Sequence, residues 1–450
     1  MEITDIVRQA QESGVELVEF LFVDNGGTIR GKLTHVDHLQ GRMVGGIGLP
    51  PAMMALNMLD QLQPIPEMGP VGEVRLMPDP DSFRVLPYSP RVASMMCDQI
   101  ALTHEPWEAC PRSFLKSVVR QVDDMGIRIM ATYEDEFTLA RSDESGRYVP
   151  IDDALCFSSI AMEIGNPIIL DMMTALKAQG IQPEQYYPEL GHGQHELSIG
   201  PTDLLTAADN QVRYRETVRA VAKQHGLVAS FAPKPFADQA GNGAHIHFSL
   251  WDAEGERNLL WDPQDRYHLS DIGYQFAAGI LKHLRGLVGL TCASVNSYRR
   301  LNPRSWSSAY TAFGPDNREA AVRIASTFWG NEEKSMNMEL KSSDSSANPY
   351  LAMGALVAAG LDGIRNGWHP GTGVEVDPAS LSDAEREQLG IVRLPASLAE
   401  AVEALDADPF FQETLGELLF RSYTTVKRSE HAAFAEQDAD YELKHHFFKF

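Results

Sequence analysis

Apolar positions along the chain fall into two periods, and their alternation predicts a protein of mixed helices and strands. Ile3, Ile6, Val7 and Ala10 recur at helical spacing within residues 3–13, and Gly14 is the stop. Two strands, 15–23 and 28–36, follow as a hairpin around Asp24-Asn25-Gly26-Gly27, residues that accept a positive φ. Proline is frequent between Pro50 and Pro111, which predicts short strands and loops. From Ser113 the stripe Phe114, Leu115, Val118, Val119 and Val122 predicts a helix, Gly126 ends it, and residues 127–139 form a strand. Further helices are expected at 164–179, 203–225, 270–290, 348–366, 397–407 and 410–428, with a strand at 186–199 and an Arg-, Ser- and Trp-bearing loop at 299–320. The pattern implies an α+β fold, with a small β-rich domain over residues 1–105 and one large catalytic domain over 106–450.

Charge narrows the class of partner. The 450 residues carry a formal charge of -24, which disfavours nucleic acid and acidic membrane surfaces and favours divalent cations and amines. Cys97, Cys110, Cys156 and Cys292 show no CxxC spacing, so neither a zinc ribbon nor a disulfide framework is expected. No apolar run approaches a membrane span and the start lacks a signal-peptide pattern, so the expected location is the cytoplasm.

Candidate chemistry sits where polar residues interrupt the apolar pattern at period two. In Gly241-Asn242-Gly243-Ala244-His245-Ile246-His247-Phe248-Ser249, a strand would turn His245 and His247 to one face and Ile246 and Phe248 to the other. A metal or an anion would partner such a pair; the plainer reading is two hydrogen-bonded surface histidines. Tyr133-Glu134-Asp135-Glu136-Phe137 repeats the arrangement with carboxylates, although exposed strands often carry such pairs. Glu189 and Glu196 flank a Gly191-His192-Gly193 turn, and Glu339 lies beside Lys341. Glu134, Glu136, Glu189, Glu196, His245 and Glu339 form an oxygen-rich set with one imidazole, suited to Mg²⁺ or Mn²⁺. Arg299, Arg300, Arg318 and Arg323 are the complement, each open to the plainer reading of a surface ion pair. Divalent metals with converging arginines suit phosphoryl transfer, yet the chain has neither a G-x-x-x-x-G-K-[ST] loop nor kinase motifs.

These motifs, with Asn296-Ser297-Tyr298-x-Arg300-Leu301, Asn317-Arg318 and Asn348-Pro349-Tyr350-Leu351, occur in an order that resembles the glutamine synthetase superfamily along almost the whole chain. The stretch from Pro70 to Asp79 looks like the end of that family's N-terminal β-grasp domain. The resemblance implies an antiparallel sheet flanked by helices and an ATP-dependent ligase that joins the γ-carboxylate of glutamate to an amine through γ-glutamyl phosphate. By similarity, Glu136, Glu189 and Glu196 would hold one metal ion and Glu134, His245 and Glu339 another. His247, Ser249, Arg318 and Arg323 would bind ATP, with the two arginines acting in catalysis, and Gly241, Arg300 and Lys341 would bind glutamate. A homo-oligomer, a dodecamer with active sites between subunits, is also implied.

The departures lie at the acceptor. Glutamine synthetases proper carry a flap glutamate a few residues after the NSYxRL motif, and here Trp306 takes that place. The segment expected to supply a second ammonium-binding acid, Gly48 to Met54, has no carboxylate. A larger, drier pocket follows, suited first to an aromatic amine and second to a polyamine held by cation–π contact, with ammonia as the remaining alternative. Asn337 and Lys341 stand where the family usually has arginine, and Ala240 where asparagine is common. Two rivals remain from the residues alone: an HxH metallohydrolase, and a regulatory pseudoenzyme on the same fold.

Overall fold

The computed structural model describes residues 2–144 and 146–450. Its first helix, Ile3–Glu12, ends before Gly14, whose φ of +69° is left-handed. The expected hairpin follows as β1 (Leu17–Val23) and β2 (Ile29–His35), paired antiparallel. The proline-rich stretch holds β3 (Ile47–Leu49), β4 (Val74–Pro78) and β5 (Arg84–Val85), and then a ten-residue strand, β6 (Val92–Ala101), longer than the prolines suggested. β6 is central: it runs parallel to β1 and antiparallel to β4, giving the order β2-β1-β6-β4-β3, with β5 beside β6. No proline interrupts β6, so its full backbone ladder is available for pairing.

The second sheet is built on β7 (Ile127–Ser142), which follows the helix Pro111–Asp124. β8 (Tyr148–Pro150), β9 (Pro183–Pro188), β10 (Gln194–Ile199), β11 (Thr202–Asp203), β12 (Val228–Ser230) and β13 (Ala244–Asp252) come next. β14 (Phe313–Pro315), β15 (Val322–Ile324) and β16 (Met338–Leu340) complete it in the order β14-β15-β16-β13-β7-β10-β9. Every pair is antiparallel except β14 with β15. The single strand expected at 186–199 is a hairpin instead, because Gly193 adopts φ +63° and folds β10 back on β9. Likewise the expected helix 410–428 is two helices, Pro409–Leu415 and Glu417–Phe434, broken at Gly416. A further helix, Ala439–His446, lies in the C-terminal stretch for which no element was expected.

Helices Pro111–Asp124, Asp271–Thr291 and Pro349–Asn366 back this sheet, packing on Ile129, Ala131, Tyr133, Ile246, Phe248 and Leu250. The last two cross closely, since a Cβ at Gly279 would lie 2.1 Å from the Ala359 carbonyl oxygen. Asn348 accounts for the start of Pro349–Asn366 by accepting the N–H groups of Tyr350 and Leu351. Its amide also donates to the carbonyls of Val23 and Asp24, each at 3.1 Å, tying the β1–β2 turn to the second sheet. That turn fits only with glycine: a Cβ on Gly27 would meet the Ser346 carbonyl oxygen at 2.1 Å. The four cysteines are free, and no helix among the described residues is long and apolar enough to cross a membrane.

Candidate active site

Strand alternation turns Thr132, Glu134 and Glu136 of β7 away from the helices and Tyr133, Asp135 and Phe137 toward them. Pairing then fixes the neighbours: His245 lies opposite Glu134 and His247 opposite Thr132, while on the other side Glu196 lies opposite Glu136. Glu339 on β16 is opposite His247, and Arg323 on β15 is opposite Glu339. One sheet face therefore carries Arg323, Glu339, His247, His245, Glu134, Glu136 and Glu196. A one-residue slip would drive these groups against the helices and expose Ile246 and Phe248, so burial of the opposite face holds the register.

The two ends of this row differ in charge balance. At the β15–β16 end Glu339 is fully buried, with Oε1 2.9 Å from Arg323 Nη1 and 3.7 Å from Lys341 Nζ, and Oε2 2.9 Å from His247 Nε2. Burial alone would raise its carboxyl, but Lys341, His247 and His245 together hold it below the usual range. Neither oxygen accepts a well-directed hydrogen bond, so the attraction is one of charge. Glu134 Oε2 is 3.2 Å from His247 Nε2 and 3.4 Å from His245 Nδ1; burial opposes its ionisation, and the two imidazoles outweigh it. One ligand atom from each of Glu134, His247 and Glu339 lies within 4.8 Å of the others.

The imidazoles are in different states. His247, although burial disfavours its charge, is pushed up to about 10 by Glu339 and Glu134 and is an imidazolium; its Nδ1 lies 2.9 Å from Asn337 Oδ1. His245 is held down by burial and by Lys341, and an Nη2 of Arg300 approaches its Nε2 at 3.0 Å. A guanidinium only donates, so His245 Nε2 is an acceptor and the ring is neutral. By distance His247 is the nearer group to the two carboxylates, whereas His245 is neutral with its acceptor nitrogen turned to Arg300 and its Nδ1 toward Glu134.

At the β10 end no basic side chain among the described residues forms an ion pair with the carboxylates. Glu136 accepts only neutral donors, Gln194 Nε2 at 2.8 Å and the Gly243 N–H at 3.0 Å. Burial, with Glu136 and Glu134 close by, pushes Glu189 up to about 7. Burial and repulsion from Glu134 and Glu136 raise Glu196, to which the Tyr187 hydroxyl donates. Glu136, Glu189 and Glu196 are oxygen donors that raise one another's cost of ionisation, with Lys341 drawing Glu189 partly back, but among the described residues they do not gather within 4.8 Å as Glu134, His247 and Glu339 do. The same face thus offers one donor set that already holds basic side chains and another that lacks them.

The remaining expected residues divide. Arg300 is buried, donating to the carbonyls of Ser343 at 3.3 Å and Lys341 at 3.4 Å, with no carboxylate partner among the described residues. Gly241 lies beside it, its carbonyl accepting Gln194 Nε2 at 2.9 Å; a Cβ there would meet the Pro233 carbonyl oxygen at 2.3 Å. Ser249 follows His245 and His247 on the same face, and its hydroxyl accepts Trp251 Nε1 at 2.9 Å. Arg318 is not gathered in: it is exposed on the turn between β14 and β15. Trp306 also stands out in solvent, on the loop after Arg300. The backbone N–H of Trp306 donates to Glu319 Oε1 at 2.7 Å, so an acid fastens the loop that carries the indole.

Sequence reasoning passed over Gln194, Tyr187 and Glu319, and named Asn337 only as a departure from arginine, not as the partner of His247. Period two from Glu196 would have found Gln194. Tyr187 faces Glu196 only through the β9–β10 register, and Glu319 reaches Trp306 only through the loop's path.

Comparison with known proteins identifies the family. The family model of the glutamine synthetase N-terminal domain matches residues 1–107, and that of the glutamine synthetase catalytic domain matches residues 108–446. The chain is 36% identical over 385 residues to a glutamine synthetase of Halobacterium salinarum, covering 84% of each protein. It is 34% identical over 430 residues to the gamma-glutamylpolyamine synthetase GlnA3 of Streptomyces coelicolor, covering 95% of this chain and 92% of the relative. A solved structure described as a GmaS/ADP complex superposes with a TM-score of 0.85 at 31% identity, covering 98% of this chain and 99% of that one. With both family models matched end to end, the chain belongs to the glutamine synthetase family and is an ATP-dependent ligase, of a family that works with divalent metal ions.

Proposed function

We propose that this enzyme joins the γ-carboxylate of L-glutamate to an organic amine, through γ-glutamyl phosphate, and that its acceptor is larger than ammonia. The observation that carries the reading is the half-exposed indole of Trp306 on the loop where glutamine synthetases proper place an acid. The likeness to a protein named for polyamine ligation supports it. Residues 1–105 form the N-terminal unit of the proposal and 106–450 the catalytic one. The protein would act in the cytoplasm as a homo-oligomer, a dodecamer with its active sites between subunits.

In this reading Glu136, Glu189 and Glu196 hold one Mg²⁺ or Mn²⁺ ion, and Glu134, His245 and Glu339 the other. When bound, the ions offset the charge that keeps a carboxylate and a γ-phosphate apart. The imidazolium of His247 faces the phosphates of ATP with Arg323, while Ser249 contributes from the next position along β13. Arg318, free on its turn, reaches the transferred phosphate once substrates are in place. Arg300 and Lys341 are buried cations suited to the carboxylate of glutamate, and the carbonyl of Gly241 suits its ammonium. Attack by the amine on the γ-carbonyl forms the C–N bond, breaks the C–O bond to phosphate and releases inorganic phosphate.

Glutamate-dependent ADP formation, measured across ammonia, alkylamines, anilines and polyamines, tests the proposal. An organic amine should give the highest kcat/KM. Faster turnover with ammonia than with every organic amine would refute it.

A further inference from the structure

The loop that bears Trp306 is held in an unusual backbone conformation. Arg304, Trp306 and Ser308 all have positive φ, +60°, +54° and +64°, a region that costs non-glycine residues energy unless the surroundings hold them there. The surroundings do so. Ser308 donates to the carbonyls of Ala320 at 2.9 Å and Arg318 at 3.3 Å, and the Ser307 hydroxyl bridges the Asn302 N–H and carbonyl, each at 3.1 Å. The Trp306 N–H is bound by Glu319 Oε1. The strained loop is thereby fastened along Arg318-Glu319-Ala320.

Glu319 is more than a fastener. Its side chain is buried, with 9% of the residue exposed, and it is met by the backbone N–H groups of Trp306 and Arg304, yet among the described residues no lysine or arginine side chain forms an ion pair with it. Burial pushes its carboxyl up, the Trp306 N–H draws it down, and Asp377 and Lys341 act in opposite directions. A backbone N–H needs only a neutral acceptor, and a glutamine would serve; a buried carboxylate without an ion pair is an expensive way to make that bond.

We propose that Glu319 is a specificity-determining residue that receives the cationic group of the acceptor, with the exposed Trp306 indole covering the same group, so that the enzyme selects protonated aliphatic amines over neutral aromatic ones. A carboxylate grips an alkylammonium by a charge-assisted hydrogen bond, and an aromatic ring on the same loop can cover it. This deepens the acceptor reading given above and rests on it. It also reverses the order expected from the sequence, in which an aromatic amine came first because no acid stood near Trp306.

Glu319→Gln tests the assignment, because glutamine can still accept the Trp306 N–H while the charge is gone. Wild type and variant would be assayed at fixed ATP and glutamate with 1,4-diaminobutane, ammonia, aniline and hydroxylamine, near pH 8, where the first two are cationic and the last two neutral. Loss of a charge-assisted contact should raise KM for the cationic acceptors about 10- to 100-fold more than for the neutral ones. Glu319→Asp, which keeps the charge, should retain the preference for cationic acceptors. Equal losses across all four acceptors would make Glu319 a loop fastener only and overturn the inference, as would a Glu319→Asp enzyme that discriminates no better than Glu319→Gln. The organic-amine reading is judged separately, by the wild-type order of diamine against ammonia, since both test the charge of Glu319.

Discussion

Glu339 on β16 and Glu189 in the turn after β9 are the same side chain, yet their surroundings drive them in opposite directions. Glu339, ringed by Arg323, Lys341 and His247, stays ionised although it is fully buried. Glu189, less buried but facing Glu136 with no cation in contact, is pushed up to about 7. Burial opposes charge at both, so the sign is decided by neighbours supplied from other strands. The lesson is that one end of the site carries basic side chains in contact with its acids, while at the other the acids are left mainly to repel one another.

The largest effect that would break this contrast is expected at Glu339. Glu339→Gln leaves Arg323, Lys341 and His247 buried without their anion, which should lower stability by about 3–5 kcal/mol in denaturant unfolding and abolish glutamate-dependent ADP formation. A variant as stable as wild type would mean that the cation-rich end is not held together by this carboxylate.

Divalent ions come next. Mg²⁺ or Mn²⁺ at about 100 times its dissociation constant should stabilise the wild type by about 2.7 kcal/mol in thermal unfolding. Most of that gain should disappear in Glu196→Gln, which removes a donor from the end that lacks cations. If Glu196→Gln responds to metal as the wild type does, the deficit at that end is not what binds the ion.

The smallest effect has the opposite sign to the first. In metal-free buffer at pH 8, Glu189→Gln should be more stable than wild type by about 1 kcal/mol, because a carboxylate repelled by its neighbours is replaced by a neutral amide. The folded-state value, about 7, lies above the ordinary 4.5, so the wild-type penalty grows as pH rises from about 4.5 through about 7 and is absent below. The advantage of the variant should therefore fade as the solution is acidified across that window. Equal pH profiles for the two proteins would remove the claim of uncompensated charge.

Much of this could be read from residues in order. Period-two spacing put Glu134 with Glu136 and His245 with His247, and the strands β7 and β13 bear those pairs on one face. The helical stripes at 113–122, 270–290 and 348–366 correspond to helices, because each has enough turns for the apolar face to repeat. Reading failed where a single backbone angle decides, as at Gly193, which makes a hairpin of one expected strand, and at Gly416, which divides one expected helix. It failed again at Glu319. Between Trp306 and Glu319 the chain passes through positive φ at Ser308 and Asp316, and apolar periodicity carries no information about such a path.

The sequence by itself determined which residues share a face, where most helices and strands run, and the family chemistry that an ordered set of acids, histidines and arginines makes available, since these depend on local period and residue type. Tertiary structure alone decided which acids are neutralised and which are left in want of a cation. Glu339 meets His247, Arg323 meets Glu339, and Glu196 meets Glu136 only through strand register, over separations along the chain that local spacing does not encode. Charge balance in a buried site is a property of those meetings, because an ionised group at low dielectric is governed by whatever lies within a few ångströms of it.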